Sequence, residues 1–132
     1  MIVLIDSSAW IEFVRRTGSH ANHAVRDAIR SDEAATTDAV RLELLAGVAR
    51  TMPVDALSNL LDGCQELDQE RQTDVETAAS LYLICRRAGE TVRSLNDCLI
   101  AAIAIRHRVA VLHQDRDFEV LARHTDLQVV TG

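Results

Sequence analysis

The chain has 132 residues, with 20 Asp and Glu against 14 basic residues, every one an arginine, for a net charge of −6. The length suits a single domain over residues 1–132, long enough to bury roughly two-thirds of the unfolded surface. The absence of lysine excludes P-loop, PLP-dependent and kinase chemistry. The acidic balance argues against holding nucleic acid by bulk attraction, which takes clustered cations.

Met1 to Ile5 is an apolar, β-branched run ending at Asp6, as in a strand buried on both faces of a parallel sheet. The run is too short for a signal-peptide core, and no stretch approaches the ~18 apolar residues of a membrane span, so a cytoplasmic protein is expected. Ser7 or Ser8 can cap a helix carrying Ala9, Trp10, Phe13 and Val14, with Trp10 in the core. A second helix is expected over His20 to Arg30, a short strand over Ala34 to Thr36, and a third helix from a Thr37 or Asp38 cap to Arg50. Pro53 suits the first turn of a helix reaching Cys64, followed by a weak strand at Gln65 to Leu67.

The longest helix is expected from Glu70 to Arg87, ended by Ala88-Gly89. Ser94 to Arg106 forms another helix, and its middle, Cys98 to Ile105, is apolar all round and therefore buried. Val109 to His113 reads as a buried strand, Asp117 to Arg123 as a short helix, and Leu127 to Val130 as a last strand. This alternation predicts a three-layer α/β/α domain around a mainly parallel sheet, with ligands beyond the carboxyl ends of the strands. Cys64, Cys85 and Cys98 make no CxxC pair and read as small buried hydrophobes.

Asp6 and Asp115 fall at that strand rim, Glu43 is hemmed by Leu42 and Leu44, and Asp97 opens the apolar helix. Each has a local alternative. Asp6 and Asp115 can cap the following helices, Asp97 can complete a capping box with Ser94, and Glu43 can pair with Arg50 or another exposed arginine. Carboxylates about 4 Å apart repel by roughly 1 kcal/mol in water and by several times that when partly buried, so a cluster calls for a cation. Hard oxygen donors without His or Cys favour Mg²⁺ or Mn²⁺ over zinc, and such a site suits phosphate chemistry.

The segments Asp6-Ser-Ser-Ala-Trp, Arg-Leu-Glu43-Leu-Leu-Ala-Gly, Ser94-Leu-Asn-Asp-Cys-Leu-Ile-Ala-Ala and His113-Gln-Asp-Arg-Asp-Phe resemble the PIN-domain ribonucleases. More narrowly, they resemble the VapC-type toxins of bacterial and archaeal toxin–antitoxin pairs. The resemblance implies that Asp6, Glu43, Asp97 and Asp115 are the catalytic, metal-binding acids, with Asp117 as an additional acid, at the metal or one layer behind its ligands, and Ser8 as the supporting hydroxyl. The sequence has Ser7 where that family more often has Thr. The resemblance also implies a PIN-like fold, Mg²⁺- or Mn²⁺-dependent endonucleolytic RNA cleavage, a homodimer, and neutralisation by a cognate VapB-type antitoxin, with a larger assembly open to the pair.

Arginines near the acids can grip phosphate bidentately, and Arg93 and Arg116 are the first candidates for RNA contact. General-base duty for His113 is unnecessary where a metal activates water. Two other classes stay open: an Mg²⁺-dependent phosphohydrolase or phosphotransfer domain of another α/β family, or a non-catalytic module whose acids grip a basic peptide. The first usually brings a lysine, absent here, and the second cleaves no RNA with or without metal.

Overall fold

The structure, a computed structural model, describes residues 1–47 and 52–131. In chain order its elements are β1 (Val3–Ile5), α1 (Ser7–Val14), α2 (His20–Arg30), β2 (Ala34–Thr36), α3 (Asp38–Gly47), α4 (Val54–Asp62), β3 (Gln65–Glu66), α5 (Arg71–Arg87), α6 (Leu95–His107), β4 (Ala110–His113), α7 (Arg116–His124) and β5 (Val129–Thr131). The strands form one sheet in the order β3-β2-β1-β4-β5, and each neighbouring pair is parallel. The expected mainly parallel sheet is thus wholly parallel among the described residues.

The apolar run at the start of the chain becomes the central strand because both its neighbours and both its faces exclude water: Leu4 and Ile5 are fully buried, as is Val111 beside them on β4. Helices α1 and α2 pack on each other, while α5, α6 and α7 pack together elsewhere in the domain. Helix α6 runs through the core, with Cys98 and Ile100 to Ala104 buried, while Leu99 and Ile105 within the expected stretch are only partly so. Trp10 is fully buried and meets Phe13 edge to face at 5.9 Å, so it offers no platform for a base. No helix among the described residues is long and apolar enough to cross a membrane.

Several local expectations shift. Asp6 rather than Ser7 or Ser8 caps α1, because Asp6 leaves the strand in an extended conformation and its carboxylate reaches the Ser8 amide. Thr37 makes no cap bond to α3, its buried hydroxyl having no partner. The expected end of α3 at Arg50, and any Glu43–Arg50 pair, lie outside the described residues. Helix α4 stops at Asp62, with Gly63 as its C-cap, and Pro53 sits at its N-cap rather than inside the first turn. Cys85 and Cys98 are buried, but Cys64 is only partly so, since it lies in the turn before the edge strand.

Because all strands are parallel, the carboxyl ends of β1, β2 and β4 open on the same edge of the sheet. The chain leaves that edge at Asp6, Thr37 and Gln114, where ligands collect in open α/β sheets.

Candidate functional site

Four elements deliver carboxylates to this edge. Asp6 follows β1, Glu43 stands in α3, Asp97 lies in the first turn of α6, and Asp115 precedes α7. Asp6, Glu43 and Asp97 offer oxygens all within 4.8 Å of one another, and so do Asp97, Asp115 and Asp117. Asp97 belongs to both groups and therefore joins them. Neither group includes a His or Cys.

At two positions, capping and rim placement are compatible, because a carboxylate has two oxygens. Asp6 Oδ2 accepts the Ser8 amide at 3.0 Å and the Ser8 hydroxyl at 2.6 Å, while Asp6 Oδ1 is buried without a partner. Asp115 Oδ1 accepts the Asp117 amide at 2.9 Å, capping α7. The Ser8 hydroxyl also accepts the Gln114 amide at 2.9 Å and so ties the two acid-bearing loops together. Glu43 Oε1 is likewise buried without a partner. An unpaired buried oxygen costs on the order of 1–3 kcal/mol, and two facing one cluster fit a cation.

Electrostatics agree. Burial, helped by neighbouring carboxylates, holds Asp6 and Glu43 above their usual range. Asp97 is pushed up to about 9 by burial first and then by Asp117, Asp6, Asp115 and Glu43 around it. Burial also works against Asp117, but the Arg93 and Ser94 amides and the Asp97 carboxyl outweigh it and hold Asp117 below the usual value. Without a cation, the Asp97–Asp117 pair keeps a proton on Asp97. The donor set and its orphaned oxygens fit a hard divalent cation.

The Ser94–Asp97 capping box does not form, since Ser94 makes no side-chain cap bond. Arg93 reaches the rim, with Nη2 3.5 Å from Asp115 Oδ1 and Nε 3.4 Å from Asp117 Oδ1. Arg116 is exposed but turned toward Glu90, 3.8 Å away, which also binds Arg123 and His124. His113 is buried below the rim; its Nδ1 accepts the Asp115 amide at 3.1 Å and so steadies the acid loop. Sequence reasoning overlooked Asn96, whose side chain donates to the Ala39 carbonyl at 3.4 Å and so holds α6 against α3, the helix that carries Glu43. Its place immediately before Asp97 is the one signal that marks it in the sequence.

The sequence profile of the PIN domain matches residues 3–124. The chain belongs to the PIN-domain family. Among characterised PIN-domain proteins, it is 43% identical to VapC ribonuclease Mb1587 of Mycobacterium bovis over 98% of each chain. Ribonuclease VapC11 of Mycobacterium tuberculosis matches equally, at 43% identity over 98% of each chain. The PIN fold recurs in solved structures of low identity. DNA-bound VapBC from Salmonella typhimurium superposes with a TM-score of 0.75 at 15% identity, covering 99% of this chain and 98% of the other. VapBC2 from Rickettsia felis, bound to a promoter DNA fragment, gives 0.74 at 17% identity with the same coverage.

Proposed function

We propose that this chain is a single PIN domain over residues 1–132 that acts as a divalent-metal-dependent endoribonuclease, the toxin of a VapBC-type toxin–antitoxin pair in the cytoplasm. The observation that carries this reading is the joining, through Asp97, of two carboxylate groups drawn from separate elements at one sheet edge. The full-length identity to VapC ribonucleases supports the RNA substrate.

Asp6, Asp97 and Asp115 would hold Mg²⁺ or Mn²⁺, with Glu43 and Asn96 completing the rim. When bound, such a cation polarises a phosphoryl oxygen and activates water for in-line displacement. Ser8 fixes the direction of Asp6, His113 fixes the Asp115 backbone, and Asn96 ties α6 to α3, the helix that carries Glu43. Arg93 lies where a backbone phosphate would approach the acids, and Arg116 would have to leave Glu90 to join it. RNA is most readily read where bases are unpaired, so a single-stranded or loop substrate is expected.

Two surface features support partners. A groove of about 770 Å³ between α1, α2 and the start of α4 has Phe13, Val14, Ile29, Met52 and Ala56 in its wall, with Arg16, Arg26 and Arg30 around them. An amphipathic, acidic segment of a VapB-type antitoxin would complement it. Val75 and Leu95, exposed by 52% and 65%, lie in one apolar depression with Ala78, Ala79 and Leu99, a surface suited to a second copy of the chain in a homodimer or larger toxin–antitoxin assembly. The deciding experiment mixes purified protein with total RNA and Mg²⁺. Discrete fragments, abolished by EDTA and by Asp6→Asn in a stably folded variant, are the expected result; undiminished cleavage by that variant would refute the assignment.

A further inference from the structure

We propose that Asp117 is a positioning residue: from α7 it makes the hydrogen bond to the start of α6 that Asp97 would otherwise make, which leaves the Asp97 carboxyl facing the rim. Ser94 and Asp97 stand at capping-box spacing, and in such a box the first-turn carboxylate turns back to accept the amide of the N-cap residue. Here that amide is already taken. The Ser94 N–H donates to Asp117 Oδ2 at 3.1 Å, and the Arg93 N–H is shared between Oδ1 at 3.1 Å and Oδ2 at 3.2 Å.

The same chain shows what a first-turn acid does when nothing competes. Asp74, in the first turn of α5, turns back and accepts the amide of its N-cap residue, Glu70, at 2.7 Å. Asp97, three residues past its N-cap where Asp74 is four past its own, does not turn back, and there a carboxylate distant in sequence holds the amide instead. Asp117 is 2% exposed, so water does not compete for its oxygens. Its own amide is held by Asp115, which fixes the residue that holds α6.

The same bonds make Asp117 a poor cation ligand although it lies close to Asp97 and Asp115. A carboxylate offers about four lone-pair sites. Three N–H groups take most of them: the Arg93 N–H, shared between Oδ1 and Oδ2, the Arg93 Nε–H on Oδ1 and the Ser94 N–H on Oδ2. A cation gripping both oxygens would have to displace amides that have no other partner. What Asp97 is freed to do rests on the nuclease reading; the bonding itself is testable without RNA.

Amide hydrogen exchange in the full-length protein, with and without Mg²⁺ alone, separates the two roles. If Asp117 positions α6, the Arg93 and Ser94 amides are protected in EDTA and stay protected when Mg²⁺ is added. If Asp117 is a ligand, Mg²⁺ draws its oxygens away and those amides exchange faster, which overturns the proposal. Asp117→Asn, in EDTA, should then speed exchange at Arg93 and Ser94 by about tenfold or more while the central strands keep their protection. Mn²⁺ titration of the same variant, followed by electron paramagnetic resonance, should show unchanged stoichiometry with weaker affinity; loss of a whole Mn²⁺ equivalent overturns the assignment. Should that variant fail to fold, the wild-type comparison decides alone. Absence of RNA cleavage alongside the expected exchange pattern would count against the nuclease reading and leave the positioning role standing.

Discussion

The Ser8 hydroxyl donates to Asp6 at 2.6 Å while accepting the Gln114 amide at 2.9 Å, so one oxygen atom joins the loop after β1 to the loop after β4. Ser8→Ala removes both bonds and leaves Asp6 Oδ2 held by the residue 8 amide alone. The expected cost is about 0.5–1.5 kcal/mol of folding stability, measured by urea denaturation. Mn²⁺ affinity and RNA cleavage should both fall, since the first acid keeps only one of its two hydrogen bonds from residue 8. Unchanged Mn²⁺ affinity would show that Asp6 is positioned without Ser8.

Asp97 gives the metal-free protein a pH dependence with a definite sign. Its carboxyl titrates near 3.8 in the unfolded chain and at about 9 when folded, so between these values the folded state binds more protons. Stability in EDTA should therefore be greatest toward pH 4 and decline as pH rises toward 9, with Asp6 and Glu43 adding the same trend. Asp97→Asn should flatten the decline, melt higher than wild type in EDTA at pH 8, and lose its stabilisation by Mg²⁺. Melting temperatures across pH, with and without Mg²⁺, check all three.

Away from the rim, Asp74 is 1% exposed and bound by Arg106 through Nε at 2.9 Å and Nη2 at 3.0 Å. Arg106→Met leaves that carboxylate without its partner and should cost about 2–4 kcal/mol, somewhat below the figure for a fully buried pair because Arg106 is partly exposed. Pairing it with Asp74→Asn should recover part of the loss. Cleavage per folded molecule should stay unchanged, which a double-mutant cycle in urea combined with active-fraction measurements would reveal.

On α2, Arg26 and Arg30 flank the apolar groove and share no position with the acid rim. Reversing both, with Arg26→Glu and Arg30→Glu, should weaken binding of the cognate antitoxin by about tenfold or more through like-charge juxtaposition. RNA cleavage should be retained, so the variant would be active but poorly neutralised. Calorimetry with purified antitoxin, beside a cleavage assay, distinguishes this outcome from general damage.

The acids were legible in the sequence because a parallel strand buried on both faces has an unmistakable apolar run, and the first charge after it must lie at the rim. Asp6 and Asp115 were visible in this way, and Asp97 announced itself by opening an apolar helix. The choice between cap and site was not resolvable from spacing, since the answer depends on single oxygen atoms: Asp6 uses Oδ2 for the cap and leaves Oδ1 for the rim. Ser94 and Asp97 match a capping box locally, yet Asp117, distant in sequence, takes the amide that would close it. No window of neighbouring residues contains that competition. The Asp74–Arg106 pair and the arginine-edged groove were hidden for the same reason, being contacts between elements far apart in the chain.

The central position of β1 also sets a timetable. Its acid is made early, but the strand gains β4 and the Asp115 loop only after synthesis has passed residue 115. At about 5–20 residues per second, the ribosome takes roughly 5–20 seconds to travel from Asp6 to Asp115. During that interval the growing chain has only part of its cutting edge. On the nuclease reading, a half-made copy cannot attack the messenger from which it is being translated, and an antitoxin already present has that interval to be waiting when the last acid arrives.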